Sequence, residues 1–317
     1  MTEDIFNKII DEIKEGVLDK GKFKADKNNF KSLAAAKEDA RIAFVDGGQA
    51  ELLRAADFSL QFIRTAAIVF KGREKEKQII NEFFVLIKTD GDYYKTEIFS
   101  LKGNSADKVI FNSLDRSIMD GNEKAEISKI AGVMRRFAEI KLAKEIVDDT
   151  DIIVLDGSLK SIVTGESEQM NLLFDKAIDK NVVLCGLAKT SRILEDGVCV
   201  LSKLEKDGEW HYYIKNEQGY AVYGTKLNKD AKYVFQFDVL QKDKIDFALS
   251  CLIKNSNDAV FPGYPYGLIL ADKIARVSNE EKEYLLTKIK AKAGSRWKSI
   301  EKSLNVMNGH SILDKIG

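Results

Sequence analysis

Residues 42–48 read IAFVDGG and residues 151–157 read DIIVLDG. In each, a short apolar run ends on Asp-Gly. A run of that length bounded by a turn signal predicts a buried strand and then a sharp turn. Between them lie three further strand candidates, DFSLQFIRTAAIVF (57–70), KQIINEFFVLIK (77–88) and DYYKTEIFSL (92–101). Thr89-Asp90-Gly91 joins the last two as a hairpin. A proline-free helical pattern follows over 122–147. After the second Asp-Gly come a helix over 167–180 and the apolar strand NVVLCGLAKTS (181–191).

Three consecutive antiparallel strands, a long helix, a strand, a helix and a strand describe an α/β mixed sheet with helices on its faces. This is the element order of the ribonuclease H-like fold, expected here over residues 41–195. Residues 1–40 precede it as an amphipathic helix (3–18, with Ile5, Ile9, Ile13 and Val17 every four residues) and a Lys-rich exposed connector (19–31). Residues 196–260 read as a strand-rich insertion, with β-branched and aromatic residues up to 253. Residues 261–317 open on FPGYPYG, which holds both prolines of the chain, Pro262 and Pro265, and continue as C-terminal helices.

The 317 residues carry 50 Lys plus Arg and 50 Asp plus Glu. Zero net charge argues against a protein that coats nucleic acid through a global positive excess, and leaves room for a local basic groove. With 44% hydrophobic residues the chain is not disordered. No stretch resembles a signal peptide or a spanning helix, so no membrane association is expected. The three cysteines, Cys185, Cys199 and Cys251, lack CxxC spacing, and two sit in apolar runs as small core residues. A reducing, cytoplasmic location is the expectation.

Several chemistries have no material. There is no GxxxxGK[ST] loop, no GxGxxG after a strand and no HExxH. The two histidines, His211 in a strand pattern and His310 in a Gly-flanked tail, do not make a zinc site or a triad.

Carboxylates are better placed. Asp46 and Asp156 each end a buried strand and precede Gly. Either alone reads as a turn aspartate. Together, on neighbouring strands, they read as a site, because an acid there is costly unless its charge is compensated. Mg²⁺ and Mn²⁺ take such oxygen ligands. The long helix offers Glu123, Glu126, Glu139 and Glu145 as a third acid, and the helical wheel prefers Glu139, which shares its face with Leu142, Ala143 and Ile146. Asp272, within LILADKIA (268–275), completes a metal site if its helix docks across the sheet edge. Such a set holds two divalent ions about 3.5–4 Å apart and supports phosphodiester hydrolysis. Lys189, at the end of a central strand, is a candidate contact to the scissile phosphate. For DNA binding the candidates are Lys288, Lys292, Arg296 and Lys298, with Lys290 and Lys302 beside them and Trp297 as a base-stacking ring. Lys20, Lys22, Lys24, Lys27 and Lys31 form a looser basic cluster. Tyr264 and Tyr266 offer either stacking surfaces or core packing.

The segments AFVDGG (43–48), RRFAEIKLAKEI (135–146), DIIVLDGSLK (151–160), GLAKTSRI (186–193) and GYPYGLILADKIARV (263–277) resemble the NurA nucleases in family order. The resemblance implies a ribonuclease H-like, Mn²⁺-dependent 5′–3′ exonuclease and single-stranded DNA endonuclease. It implies a homodimer that works with the hexameric HerA translocase in DNA end processing. It maps Asp46, Glu139 and Asp156 onto the family's acids, selects Glu139 over Glu126, and places Lys189 and Tyr264 on motif positions. One departure stands out: Ala271-Asp272 occupies the place of an Ala-His pair. Two rival readings follow, a degenerate DNA-binding or translocase-scaffolding relative, and an RNA-directed nuclease of the same fold.

Overall fold

The computed structural model describes residues 2–15 and 23–307. Lys20, Lys22, Val17 and His310 lie outside them. Helix α1 (Thr2–Ile13) leaves its apolar stripe of Ile5, Phe6, Ile9, Ile10 and Ile13 exposed. Within the expected connector, a short strand β1 (Phe30–Ser32) pairs with a later strand and seats Phe30 edge-on against Trp210 and Tyr212.

Four long strands follow as an antiparallel meander: β2 (Arg41–Arg54), β3 (Phe58–Lys71), β4 (Glu74–Asp90) and β5 (Tyr93–Lys102). The short β6 (Ile110–Asn112) closes that edge. Helix α2 (Lys129–Glu145) then leads to β7 (Ile152–Asp156), α3 (Glu166–Asp179) and β8 (Val183–Ala188). Strands β2, β7 and β8 run parallel, as crossover helices require. A two-residue ladder, β9 (Leu194–Glu195) with β10 (Val198–Cys199), precedes β11 (Trp210–Asn216), β12 (Ala221–Lys226) and β13 (Phe235–Val239). These last three extend the same sheet beyond β8, giving eleven strands in the order β1-β11-β12-β13-β8-β7-β2-β3-β4-β5-β6.

Helices cover both faces. On one, Phe44, Val154, Leu187 and Phe237 pack against α4 (Ile245–Ile253) and α5 (Tyr266–Ala275). On the other, Val45, Leu155 and Leu184 pack against α2 and α3. Helices α6 (Asn279–Ala293) and α7 (Trp297–Met307) continue the first layer over Leu53 and Phe62.

Three local readings change. Residues 245–253 are helix α4 rather than strand, since a nine-residue apolar run carries no period to separate the two. Helix α2 starts at Lys129, not 122. The residues before it are held as turns by the Asp115 carboxylate on Ser117 and by Tyr94, whose hydroxyl donates to the Ala125 carbonyl. Most consequentially, VDGG is not a turn: β2 runs straight through it to Arg54.

The two glycines of β2 answer to the helices instead. A Cβ on Gly47 would lie 2.5 Å from Glu139 Oε1 of α2. One on Gly48 would lie 2.1 Å from the Ala275 carbonyl oxygen at the end of α5. Neighbouring strand residues face opposite sides, so consecutive glycines admit close approach from both layers. Gly48→Ala sets a methyl against backbone that cannot turn aside. It is expected to cost about 1–3 kcal/mol, read as a lowered midpoint in thermal unfolding.

Candidate active site

Residue parity along β2 puts Asp46 on the Phe44 face, under α5, and parity along β7 puts Asp156 on the same face beside Val154. From α5 comes Asp272. One oxygen from each of these three carboxylates lies within 4.8 Å of the others. Pro265 starts α5, and the Tyr266 amide donates to the Asn255 carbonyl at 2.7 Å, so the proline link fixes where the helix begins. Asp156 ends its strand as expected, with Gly157 turning the chain away at φ +104°.

Asp46 is 6% exposed. Its Oδ1 accepts the Gly47 amide at 2.7 Å, and no ion pair reaches it among the described residues. Burial, reinforced by Asp156 and Glu139, pushes its carboxyl from 3.8 up to about 8. Asp156 is better compensated: Lys189 Nζ donates to its Oδ2 at 2.9 Å and the Tyr264 hydroxyl to its Oδ1 at 3.0 Å. Lys189 also lies 3.7 Å from Asp272 Oδ1, and Arg276 donates to Asp272 Oδ2 at 2.6 Å. Burial alone would lower the Lys189 ammonium, but Asp156, Asp272 and Asp46 hold it above its ordinary value.

Glu139 approaches from the other face, through the gap that Gly47 leaves. It is 5% exposed and flanked by Arg135 at 3.4 Å and Arg136 at 3.6 Å. Burial pushes its carboxyl up against the pull of both arginines. It stands next to the aspartate cluster, not among the three converging oxygens.

Tyr264 is 1% exposed, stacked on Phe261 and edge-on to Phe235. Of the two readings open in the sequence, core packing holds; no ring face is left for a base, which corrects the DNA-binding assignment. Burial and then the Asp156 charge raise its phenol well above the ordinary range, so it stays a donor. Tyr266 is 44% exposed, its ring edge-on to Phe70.

The basic stretch stands apart from the acids. Arg64 of β3 pairs with Glu82 and with Glu281 in the first turn of α6, near Gly48. Lys288 and Lys292 follow about 10 and 17 Å further along that helix. Lys288, Lys292, Arg296 and Lys298 are exposed and touch no acid of the cluster. Trp297 is half-buried against Leu53 and its neighbours, with Lys290 Nζ 5.2 Å from its ring centre, so its first role is to seat α7.

Sequence reading passed over a supporting layer. Asp238 of β13, wholly buried, accepts from Ser158 Oγ at 2.6 Å and the Leu159 amide at 2.9 Å, fixing the loop after Asp156. Glu166 accepts from Arg136 and from the Ile162 and Val163 amides. An acid inside the apolar run FQFDV (235–239) was the available signal for Asp238.

The arrangement presents three hard oxygen donors, and Asp46 among them has no cationic partner among the described residues. That is a seat for a divalent cation beside a cationic side chain.

Comparison with known proteins follows from this geometry. No curated protein sequence matches the chain. Among solved structures, the NurA nuclease from Sulfolobus solfataricus is similar at TM-score 0.57 and 14% identity, over 92% of this chain and 94% of that one. The catalytic domain of human endonuclease V superposes at TM-score 0.41 and 12% identity, over 83% of this chain and 92% of that one. At 14% identity the likeness to the first is one of fold alone, a mixed sheet flanked by helices. The NurA domain model matches residues 40–277, from the start of β2 to just past α5, and so spans Asp46, Glu139, Asp156 and Asp272: the chain belongs to the NurA family.

Proposed function

We propose that the protein is a divalent-metal-dependent DNA nuclease that hydrolyses phosphodiester bonds. The observation carrying this reading is the convergence of Asp46, Asp156 and Asp272 from two strands and a helix, with Asp46 buried and unpaired. The donor set fits the metal: every ligand atom is a carboxylate oxygen, as Mn²⁺ and Mg²⁺ prefer. Asp46, Asp156 and Asp272 would hold the cation, and Glu139 is the carboxylate available to a second. When bound, the cation supplies a Lewis acid for a phosphoryl oxygen and makes water nucleophilic at neutral pH.

The chain's own groups do the rest. Tyr264 holds one oxygen of Asp156 by its hydroxyl, leaving the carboxylate a fixed orientation. Lys189, within reach of Asp156 and Asp272, is placed to hold a phosphate oxygen once the carboxylates are otherwise engaged. Arg135 and Arg136 keep Glu139 ionisable at its buried position. Asp272 in place of the family histidine keeps the donor set all-oxygen, which favours a catalyst over a scaffold without chemistry.

Family membership supports action on DNA ends as a 5′–3′ exonuclease and single-stranded endonuclease, in a homodimer fed by a HerA-like hexameric ATPase. The zero net charge suits an enzyme whose substrate is delivered by a partner. Purified protein with Mn²⁺ is expected to degrade single-stranded DNA and to stop when EDTA is added. Intact DNA in both Mn²⁺ and Mg²⁺ would sink the reading. Tyr264→Phe keeps the ring in its aromatic cluster but frees Asp156 Oδ1. A lost hydrogen bond of this kind costs about 10–100-fold in metal affinity or activity, measured by Mn²⁺ titration of cleavage rate.

A further inference from the structure

A cleft of about 490 Å³ opens beside Glu139 and Asp156, on the α2 side of the sheet. One wall is the α2 stripe Lys129, Gly132, Val133 and Arg136; the other is the loop from Gly157 to Val163; Ile118 and Met119 close the top. It lies on a different element set from the basic stretch of α6 and α7.

Three features mark it as a seat for a ligand. First, Gly132 sits in the first turn of α2, on the face that lines the cleft. Packing does not demand it: a Cβ there would meet nothing closer than Gln49 Oε1 at 3.9 Å. What glycine provides is room in the cleft wall. Second, Ile162 is 71% exposed on the opposite lip, a large apolar side chain left in water beside buried carboxylates. Third, the cleft's positive charges divide into two kinds. Arg136 and Lys129 are spent on Glu166 and Asp120. Lys160 is exposed and makes no ion pair among the described residues, whereas Arg135 pairs with Glu139 at 3.4 Å and donates one Nη to the Gly47 carbonyl, yet keeps 40% of its side chain exposed.

An unpaired lysine and a part-exposed arginine on the rim, an apolar lip and a recess lined by a glycine suit an anion joined to a flat apolar body. We propose that the cleft seats one nucleotide of the DNA strand being cut, Lys160 and Arg135 holding its phosphate and Ile162 packing on its base. The assignment rests on the nuclease reading above and locates its substrate.

The test uses the full-length chain and a fluorescein-labelled oligodeoxythymidine. Binding is followed by anisotropy with Ca²⁺ in place of Mn²⁺, and cleavage is followed with Mn²⁺. Gly132→Phe fills the recess and replaces no carboxylate. It is expected to raise both Kd and KM by tenfold or more while the Mn²⁺-induced rise in melting temperature stays as in wild type. Gly132→Ala adds only a methyl and should bind within twofold of wild type. Lys160→Ala should weaken binding three- to tenfold and flatten the slope of log K against log salt by about 0.7, the value for one single-strand phosphate. A wild type that cuts DNA while folded Gly132→Phe binds and cuts equally well overturns the cleft and leaves the nuclease reading standing. A wild type that cuts with neither Mn²⁺ nor Mg²⁺ overturns both.

Discussion

At pH 8, Asp46→Asn is expected to unfold at a higher temperature than wild type when metal is absent and, with Mn²⁺ supplied, to cut DNA on the order of 10³-fold or more slowly, equivalent to about 4 kcal/mol of barrier. Both effects come from one carboxylate. Buried beside Asp156 and Glu139, the native Asp46 holds its proton up to about pH 8, whereas in the unfolded chain it ionises near 3.8. A pKa raised on folding contributes stability in full below 3.8 and loses it as pH rises toward 8. Each pH unit in that window removes about 1.4 kcal/mol. Asparagine keeps the size and the acceptor for the Gly47 amide but carries no proton to lose. The variant should therefore match wild type near pH 4 and exceed it by a few kcal/mol at pH 8, measured by denaturant titration at both values. Activity is lost because a neutral amide neither neutralises nor firmly holds a hard cation. A variant less stable than wild type at pH 8 would show that Asp46 is compensated by something other than a metal. Stability surrendered at a site in exchange for chemistry is the usual pattern.

The two Asp-Gly motifs show what a sequence can and cannot report. At Asp156 the dipeptide means what turn statistics say: the strand stops and Gly157 takes a positive φ. At Asp46 the same dipeptide sits inside a fourteen-residue strand. Its glycines exist because α2 and α5 press on opposite faces, a tertiary demand with no local signature. The meander and the alternation of β7, α3 and β8 were legible because their apolar periods are long and bounded by turns. Helix α4 was not, since Ile245–Ile253 is apolar nearly throughout. Tyr264 could be read two ways because an aromatic beside proline is equally at home in a core or on a surface; only its burial against Phe261 and its bond to Asp156 decide. The basic stretch was legible as charge, with no place relative to the acids. Helical rise along α6 carries it away from them. Gly132 and Ile162 carry no motif and Lys160 only ends the DIIVLDGSLK segment; their meaning appears only when the loop after Asp156 is set opposite α2.

Metal and proton compete for Asp46, and that competition gives the second large effect. Cation binding requires the ionised carboxylate, so below pH 8 each unit of acidification should weaken apparent affinity by up to about tenfold. In metal-free protein, stability falls as pH climbs through the same range, because the folded state alone retains the proton. The two trends run in opposite directions. At one fixed Mn²⁺ concentration, the melting temperature gained over an EDTA control should be small at pH 6, grow toward pH 8 and level off above it. Where Mn²⁺ reaches a hundred times its Kd the gain corresponds to about 2.7 kcal/mol. Asp46→Asn has no proton to displace and one fewer anionic ligand, so its gain should be small and flat with pH. Gly132→Phe, which leaves all three aspartates in place, should follow the wild-type curve. A wild-type gain that does not change between pH 6 and 8 would mean that the cation does not sit on Asp46, and the seat would then have to be sought between Asp156 and Asp272 alone.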